Sequence, residues 1–361
     1  MDSDSPASEP IPAAPAKPKL TSIFSMEALG LFPATGEIPQ SPTRITKPVT
    51  PQPTVLTEEL RKSFLDEIAK KDSELKEVKL DITSLGPWSS SKLKCLEKCP
   101  FQFYLKYILQ FKVPSSLQTQ SDPLSANVGK AAHAILEDVV VGKDIDKAYA
   151  DVKAKYLADK SLTEQQWEEY VVTLRYNIEK FKNRIDDLSN RHPFRRVLTE
   201  LRIGVTRDYQ PTGFFSDDVW LRGVVDMIVM LECMDIIIFD HKTGGGEGSV
   251  NMYKPQLDWY KVLFHFGIEK IEGAQAGIHF IKAGDVKMAD YSGVDDIENK
   301  LKNVLEMSLE GAVDALIEKG YFKHVRGAQC KWCEYDNIGC KSGDLKPIEI
   351  NSKRWIRIAK G

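Results

Sequence analysis

The segment IIIFDHKTGGG, residues 236–246, carries the pattern that decides the fold class. Its apolar residues run directly into Asp240, His241 and Lys242. A short apolar run rich in isoleucine is typical of a strand buried in a sheet. A carboxylate and an ammonium at the end of that strand predict a functional site at one edge of the sheet. The glycines that follow let the chain turn away without a side chain obstructing that edge.

A second strand, VWLRGVVDMIVML (residues 219–231), precedes this one and carries Asp226. A tight turn joins the two strands, so antiparallel pairing brings the carboxylates of Asp226 and Asp240 to one end of the sheet. Two buried carboxylates repel each other unless a cation lies between them. Mg²⁺ or Mn²⁺ suits such oxygen ligands. Lys242 points to the same face as Asp240 and adds a fixed positive charge.

These residues meet the needs of phosphodiester hydrolysis. A divalent cation acidifies water and polarises the phosphate, and an ammonium offsets the negative charge that develops in the transition state. An alternative stays open on spacing alone, because Asp226, Asp240 and Lys242 can equally form a structural ion-pair cluster at a sheet edge.

Two helical segments supply further candidates. In GKAAHAILE, Gly129, His133 and Glu137 recur every four residues and share one helical face. The imidazole of His133 is there either a third metal ligand or an ordinary core histidine. In QLDWY, Gln256 and Tyr260 are also four residues apart, which places an amide and a phenol together on the helix that follows the glycines.

Composition and periodicity divide the chain. Eleven of its nineteen prolines lie in residues 1–55, which predicts a disordered tail. Residues 56–84 predict an N-terminal helix and linker, residues 85–345 one folded domain, and residues 346–361 a C-terminal extension. Within the domain, helical periodicity comes first and strands of period two follow it. The pattern predicts a mixed α/β fold in which helices flank a central sheet.

The composition leaves the class of partner open. The net charge of −3 neither supports nor excludes a nucleic acid as partner. No apolar run reaches the roughly 18 residues that a membrane helix needs. The acidic start, MDSDSPASEP, differs from a secretory signal. We therefore expect a soluble, intracellular protein, cytoplasmic and with no membrane partner.

Five of the six cysteines fall into two groups that are far apart in sequence. Cys95 and Cys99 form the first group, and Cys330, Cys333 and Cys340 form the second with the spacing C-x₂-C-x₆-C. In a reducing compartment such spacing indicates ligation of a metal or cluster more than disulfides. Thiolates suit both zinc and an iron–sulfur cluster, so ligand softness alone does not separate the two.

Seven segments in this order resemble the RecB-like branch of the PD-(D/E)XK nuclease superfamily: CPFQFYLKY, GKAAHAILE, TELRIG, GVVDMIV, IIIFDHKTG, QLDWY and CKWCEYDNIGC. More narrowly, they are similar to its iron–sulfur type, which includes the AddB nuclease domain and the exonucleases of CRISPR adaptation. The resemblance covers about residues 85–342. It implies a restriction-endonuclease-like core, a central mixed sheet flanked by helices, and a cysteine-ligated staple that joins the helical and C-terminal regions. Val225 stands where the superfamily's name has proline, and RecB-like members commonly carry hydrophobic residues there.

The resemblance also implies roles for individual residues. His133, Asp226 and Asp240 match metal ligands, and the carbonyl of His241 is a further ligand. Lys242 matches the catalytic lysine.

Three more assignments follow from the resemblance. Gln256 and Tyr260 match the element that orients the lysine and the DNA strand. Glu200 lies on the preceding strand, where relatives often carry an acidic residue. Cys99 matches the fourth ligand of a [4Fe-4S] cluster, and the other ligands are Cys330, Cys333 and Cys340. We favour this cluster over zinc, and Cys95 stands as an alternative to Cys99.

For function, the resemblance implies a metal-dependent DNA exonuclease that hydrolyses phosphodiester bonds from DNA ends. The implied substrate is single-stranded, and the implied processes are recombination, repair or CRISPR-related DNA processing. No G-x-x-x-x-G-K-[ST] motif occurs, so we expect a partner to do any unwinding. The tail is a candidate for holding such a helicase, recombination or adaptation partner. Three alternatives stay open: a structure-specific endonuclease, an RNA nuclease, and a non-catalytic iron–sulfur subunit for DNA binding or assembly.

Overall fold

The computed structural model describes residues 57–75, 78–79, 81–113, 123–244, 250–340, 343, 345–346, 348–350 and 355–356. The predicted tail, residues 1–55, lies outside the described residues. So do Gly245 and Gly246, the last two glycines of the segment that decides the fold class.

Helices dominate the first half of the described chain. The α-helices are α1 (Glu58–Glu74), α2 (Ser90–Lys98), α3 (Pro100–Phe103), α4 (Pro123–Val140), α5 (Ile145–Ala158), α6 (Glu164–Gln166), α7 (Arg175–Arg191), α8 (Lys254–Gly267) and α9 (Lys302–Lys319). The π-helical turns are Tyr104–Ile108, Trp167–Val171, Asp296–Leu301 and Asp336–Cys340. The 3₁₀ turns are Val172–Leu174, Val250–Met252 and Ala328–Trp332. Among all the residues that the structure describes, no helix combines the length and the hydropathy that crossing a membrane requires.

The strands are β1 (Val78–Lys79), β2 (Phe194–Val205), β3 (Pro211–Thr212), β4 (Leu221–Leu231), β5 (Asp235–Lys242), β6 (Gly273–Phe280), β7 (Asp285–Met288), β8 (Ser292–Gly293), β9 (Tyr321–Phe322), β10 (Ile348–Glu349) and β11 (Trp355–Ile356). The central sheet has the order β3-β2-β4-β5-β6-β7, and β8 also pairs with β6. β5 and β6 are parallel, whereas the other neighbours in this sheet are antiparallel. The predicted mixed α/β fold with a central mixed sheet is confirmed.

Both faces of the sheet are covered, which explains why β5 is apolar at successive positions. Ile236 and Ile238 pack against one layer, which contains α1, α2, α3, α8 and α9 and is called the α8 layer here. Ile237 and Phe239 pack against the other layer, which contains α4, α5 and α7 and is called the α4 layer. Because side chains alternate along a strand, Asp240 lies toward the α8 layer.

Local signals in the sequence fix several boundaries. The hydroxyl of Ser89 accepts a hydrogen bond from the backbone N–H of Lys92 at 3.2 Å and begins α2. Pro100 follows α2 and begins α3, because proline fits the first turn of a helix but not its interior. The π-helical turn Asp296–Leu301 leads directly into α9.

Candidate active site

One end of β5 forms the centre of the candidate site. Asp240 is only 1% exposed, and its Oδ2 lies 2.6 Å from Nζ of Lys242. Gln256 on α8 donates from Nε2 to Oδ1 of Asp240 at 3.1 Å and to the hydroxyl of Tyr260 at 2.7 Å. Tyr260 in turn hydrogen-bonds to Asp240. These four residues are called the paired half of the site, since each contacts another member.

A glycine on β4 lets α8 come close enough to complete the paired half. A Cβ added at Gly223 would lie 2.7 Å from Cδ1 of Leu263 and 3.5 Å from Cε1 of Tyr260. A side chain at position 223 would therefore displace the methyl group of Leu263 and crowd the ring of Tyr260. The glycine of the RGVVD segment thus positions Tyr260 beside Asp240.

His133, Glu200 and Asp226 form the acidic half of the site. One potential ligand atom from each residue lies within 4.8 Å of the others. Nδ1 of His133 is 3.8 Å from Oδ2 of Asp226 and 4.0 Å from Oε1 of Glu200. Oδ2 of Asp226 also accepts a hydrogen bond from the backbone N–H of His241 at 2.7 Å, which links this half to the end of β5.

Glu200 reaches the acidic half through an irregular strand. It lies in β2 with φ +47°, in the left-handed region that side chains other than glycine rarely adopt. The paired neighbours on either side of it are Thr199 with Met227 and Leu201 with Val225. Opposite Glu200, the alternation of side chains between the two faces of β4 also breaks. Val225 and Met227 are two positions apart and would share a face in a regular strand, but Val225 packs in the α8 layer and Met227 in the α4 layer. Backbone outliers of this kind cluster at functional sites.

A second glycine brings α4 to the end of β5. A Cβ added at Gly129 would lie 3.0 Å from Oγ1 of Thr243, a tight contact. His133 lies one helical turn further along the same face of α4, so close approach at Gly129 allows its ring to reach Asp226.

The pKa values of the acidic groups differ between the two halves of the site in what opposes their rise. Burial, and next the charge of Asp240, raises the pKa of Asp226 to about 7. Burial and then the charge of Asp226 raise the pKa of Glu200. Burial lowers the pKa of His133, which therefore presents a neutral imidazole with a lone pair. Burial also raises the pKa of Asp240, but Lys242 opposes that shift.

The donor set fits a hard divalent cation. Carboxylates that burial and mutual repulsion make difficult to ionise gain a compensating charge when a cation binds. Carboxylate oxygens and a neutral imidazole are the donors that Mg²⁺ or Mn²⁺ accepts. The ring of His133 hydrogen-bonds to the backbone of His241, so that backbone also borders the acidic half.

The side chain of His241 lies in the α4 layer, where its ring meets the ring of His133 edge to face at 5.7 Å between centroids. Its Nδ1 lies 3.1 Å from Nδ1 of His279 on β6, and its ring contacts Phe181 edge to face. The parallel register pairs His241 with His279 directly. A single histidine inside the apolar β6 pattern gave no sign of this contact, because the register between β5 and β6 is set by tertiary structure.

The structure places all the predicted residues of the sheet-end site together. They are His133, Asp226, Asp240, His241, Lys242, Gln256 and Tyr260. Glu200, which the sequence suggested only through its strand, contacts His133 and Asp226.

The cysteines form a second candidate site. Cys95 and Cys99 lie around the end of α2, and all five clustered cysteines are half-buried. Burial raises the pKa of Cys340 to about 12 and that of Cys333 to about 11, and in both cases the charge of Cys99 adds to the shift. Cys95 also interacts with Cys99 and Cys333. The fold therefore brings the two distant groups of the sequence to one place.

Among the described residues, no three cysteine sulfur atoms lie within 4.8 Å of one another. Tetrahedral zinc with Zn–S bonds of about 2.3 Å would hold its sulfurs about 3.8 Å apart.

Comparison with known proteins identifies the family of this chain. A family model described as the PD-(D/E)XK nuclease superfamily matches residues 87–340. The fold is similar to the crystal structure of SSO0001, with 14% sequence identity and a TM-score of 0.30 over 81% of this chain and 98% of that chain. It is also similar to that of a candidate exonuclease from Eubacterium rectale, with 10% identity and a TM-score of 0.34 over 79% of this chain and 88% of that chain. No curated protein matches the chain.

Proposed function

The chain belongs to the PD-(D/E)XK nuclease superfamily, and from this premise we propose that it is a metal-dependent deoxyribonuclease that hydrolyses DNA from its ends. Membership supports hydrolysis of phosphodiester bonds in nucleic acids. The choice of DNA, of a single strand and of an end rests on the similarity of its segments to the RecB-like branch. The same similarity supports a role in recombination, repair or CRISPR-related DNA processing.

The observation that carries the proposal is the meeting of the two halves at one sheet end. The acidic half holds mutually repelling oxygens without a lysine or arginine ion pair to Asp226 or Glu200 among the described residues. The paired half presents the ammonium of Lys242, 2.6 Å from Asp240. A purely structural ion-pair cluster would have no reason to hold the largely buried carboxylate of Asp226 beside the charges of Glu200 and Asp240 as well.

His133, Glu200, Asp226 and Asp240 would hold the cation, together with the carbonyl of His241. When bound, a divalent cation lowers the pKa of water and polarises the phosphate. His133 contributes as a neutral donor because burial lowers its pKa.

The paired half has a separate task. Lys242 offers a positive charge where the phosphate gains negative charge. Gln256 and Tyr260 fix the orientation of Asp240 by hydrogen bonds. Tyr260 stays protonated and able to donate, because burial and then the charge of Asp240 raise its pKa.

The experiment that tests the function uses the full chain purified without oxygen. End-labelled single-stranded DNA and a closed circular single strand are incubated with Mg²⁺ or Mn²⁺, beside an Asp240→Ala variant. We expect progressive shortening of the labelled strand, an intact circle, and no cleavage by the variant.

Other outcomes would point to the alternatives. Cleavage of the circle would indicate a structure-specific endonuclease, and cleavage of an RNA strand in preference to DNA would indicate an RNA nuclease. If Asp240→Ala replaced the wild-type protein fully in cells, and neither protein hydrolysed nucleic acid in vitro, the chain would be a non-catalytic subunit for DNA binding or assembly.

We further propose that Cys99, Cys330, Cys333 and Cys340 bind a [4Fe-4S] cluster that joins the helical and C-terminal regions. Three cysteines in one segment and a fourth far upstream support a cluster more than zinc, whose ligands usually come from two local pairs. Because burial keeps the thiols of Cys333 and Cys340 protonated, they would ionise on binding iron.

The cluster is tested by iron content and visible absorbance. We expect Cys99→Ala and Cys333→Ala to lose iron and to lower the folded yield more than Asp226→Ala does. Cys95→Ala is the matched control, because Cys95 lies on the same helix end. Loss of iron in Cys95→Ala but not in Cys99→Ala would assign the ligand to Cys95, and zinc in place of iron in the wild-type protein would overturn the cluster.

The site of action in the cell is also a proposal. The spacing of the cysteines, which is typical of ligation more than of disulfides, supports a reducing, cytoplasmic compartment. Any unwinding would come from a helicase or adaptation partner, and the tail at residues 1–55 is the segment we propose to hold it.

A further inference from the structure

A cavity of about 360 Å³ opens beside the paired half of the site. It lies between α2, α8 and α9, and the turn Val250–Met252 closes one side. Its volume is within the range of about 300 to 1,000 Å³ that small-molecule sites occupy. The segments that resemble the nuclease branch assign no role to most of its walls.

The walls are mainly apolar and partly open to solvent. Leu93 on α2, Met252 on the turn and Val304 on α9 line the cavity, and Trp259 forms part of its floor. Met252 is 59% exposed and Val304 is 44% exposed, although both are apolar. Apolar side chains left open around one cavity indicate a site for an apolar or aromatic group.

The cavity is continuous with the catalytic centre. Gln256 lines it and also donates to Asp240 at 3.1 Å, so an occupant would touch a residue that orients the carboxylate. Lys94 stands on the same wall, with its ammonium close enough to Lys242 and Asp240 for their charges to affect its pKa, after burial and the charge of Lys98. The other lysine of the cavity, Lys254, is paired with Asp258 at 3.3 Å.

Resting on the proposed nuclease function, we propose that this cavity binds the base of the nucleotide next to the scissile phosphate, while Lys94 contacts a phosphate of the same strand. An apolar wall and a nearby cation are the features by which proteins bind single strands without reading sequence. A base in the cavity cannot remain paired in a duplex. The subsite therefore selects an unpaired nucleotide of any sequence.

The first test compares two exposed methionines. Met252→Asp places a charge in the cavity, and Met307→Asp is the matched control, since Met307 is 70% exposed on α9 and does not line the cavity. On single-stranded DNA we expect KM to rise about tenfold for Met252→Asp, the effect of losing one base contact. We expect KM of Met307→Asp to stay within about twofold of wild type, the range of an exposed surface substitution. With an abasic residue beside the scissile bond, the two variants should have equal KM.

The second test concerns the phosphate contact. Lys94→Gln should raise KM and reduce the slope of log KM against log salt by about 0.7, the value for one contact to a single strand. Lys98→Gln is the control, because Lys98 lies on the same helix and does not line the cavity. An unchanged slope for Lys94→Gln would remove that contact from the proposal.

The subsite and the nuclease can fail separately. If the wild-type protein cleaves DNA but Met252→Asp and Met307→Asp have equal KM on every substrate, the subsite is wrong and the nuclease stands. The reverse case is a working subsite without nuclease activity. Fluorescence anisotropy with a labelled thymidine oligomer and no divalent cation tests it by measuring binding alone. Weaker binding by Met252→Asp than by Met307→Asp, without cleavage by wild type, would support the subsite and overturn the nuclease. Equal binding without cleavage would overturn both.

Discussion

The two halves of the sheet-end site differ in how their charges are balanced. In the paired half, Asp240 has Lys242 at 2.6 Å and hydrogen bonds from Gln256 and Tyr260. In the acidic half, the backbone N–H of His241 and then the charge of Lys242 only partly offset the effects of burial and of Asp240, and the pKa of Asp226 rises to about 7. In the paired half, the chain's own groups balance the charge of Asp240. In the acidic half, the repulsion between carboxylates stays unbalanced in the absence of a cation.

The difference assigns separate tasks. A carboxylate that is already neutralised by a lysine can be held in one orientation through binding and reaction. Carboxylates that repel each other bind a cation more tightly, because the cation removes the repulsion. The acidic half should therefore contribute most to cation affinity, with Asp240 as a further ligand, and Lys242 of the paired half should govern the rate once the cation is bound.

The largest expected effect comes from the acidic half. If Asp226 is a cation ligand as proposed, Asp226→Asn should lower kcat/KM by about a thousandfold or more, since it removes the several kcal/mol that the cation contributes. We expect Mn²⁺ to raise the Tm of the wild-type protein, and the variant should abolish that rise. Calorimetry with and without Mn²⁺ measures the second effect independently of activity. A variant that keeps the full rise in Tm would show that Asp226 is not a ligand.

The next effect tests the other side of the comparison. Lys242→Met keeps the length of the side chain and removes the charge, so kcat should fall by about 10² to 10³. The rise in Tm with Mn²⁺ should persist, because the acidic half is intact. Single-turnover kinetics at saturating Mn²⁺ checks the rate. If instead the variant lost cation binding and activity together, the two halves would not have separate tasks.

Much of this arrangement could be predicted from the sequence, for reasons that lie in its periodicity. Strand pattern and turn placed Asp226 and Asp240 at one sheet end, and helical spacing placed Gln256 with Tyr260. Glu200 could be predicted only in part, because its position depends on a backbone at φ +47° that no local signal requires. The short strand β7 was not predicted either, since four residues form a strand there only because β6 offers its edge.

The pairing of His241 with His279 was beyond sequence reasoning. It depends on the register of the parallel strands β5 and β6, which are separated by α8 along the chain. The cavity beside Gln256 has the same origin, because three helices and a turn from separate parts of the sequence form its walls.

A smaller effect appears in stability. A carboxyl group whose pKa rises from its ordinary value of 3.8 to about 7 binds more protons folded than unfolded in that range. It therefore lowers the free energy of unfolding as pH rises from about 4 to about 7, by an amount on the order of a few kcal/mol. Asp226→Asn removes this loss, so the cation-free variant should be more stable than wild type at pH 8 and similar near pH 4.

The comparison between variant and wild type isolates the contribution of Asp226. Buried histidines such as His279, whose pKa burial lowers to about 3, destabilise the fold at low pH equally in both proteins. Urea unfolding at pH 4 and pH 8 in the presence of a chelator measures the difference. A difference that did not grow with pH would mean that Asp226 is not under charge repulsion in the cation-free protein.

The smallest effect lies within the paired half. Tyr260→Phe keeps the ring that packs beside Gly223 and removes only the hydroxyl that binds Asp240. Since Lys242 and Gln256 still hold that carboxylate, kcat should fall only about five- to tenfold, the worth of one hydrogen bond to a charged group. Steady-state kinetics measures the change, and Tm with and without Mn²⁺ should match wild type. A loss as large as that of Lys242→Met would mean that the hydroxyl contacts the substrate directly, and the paired half would then have two reactive groups instead of one.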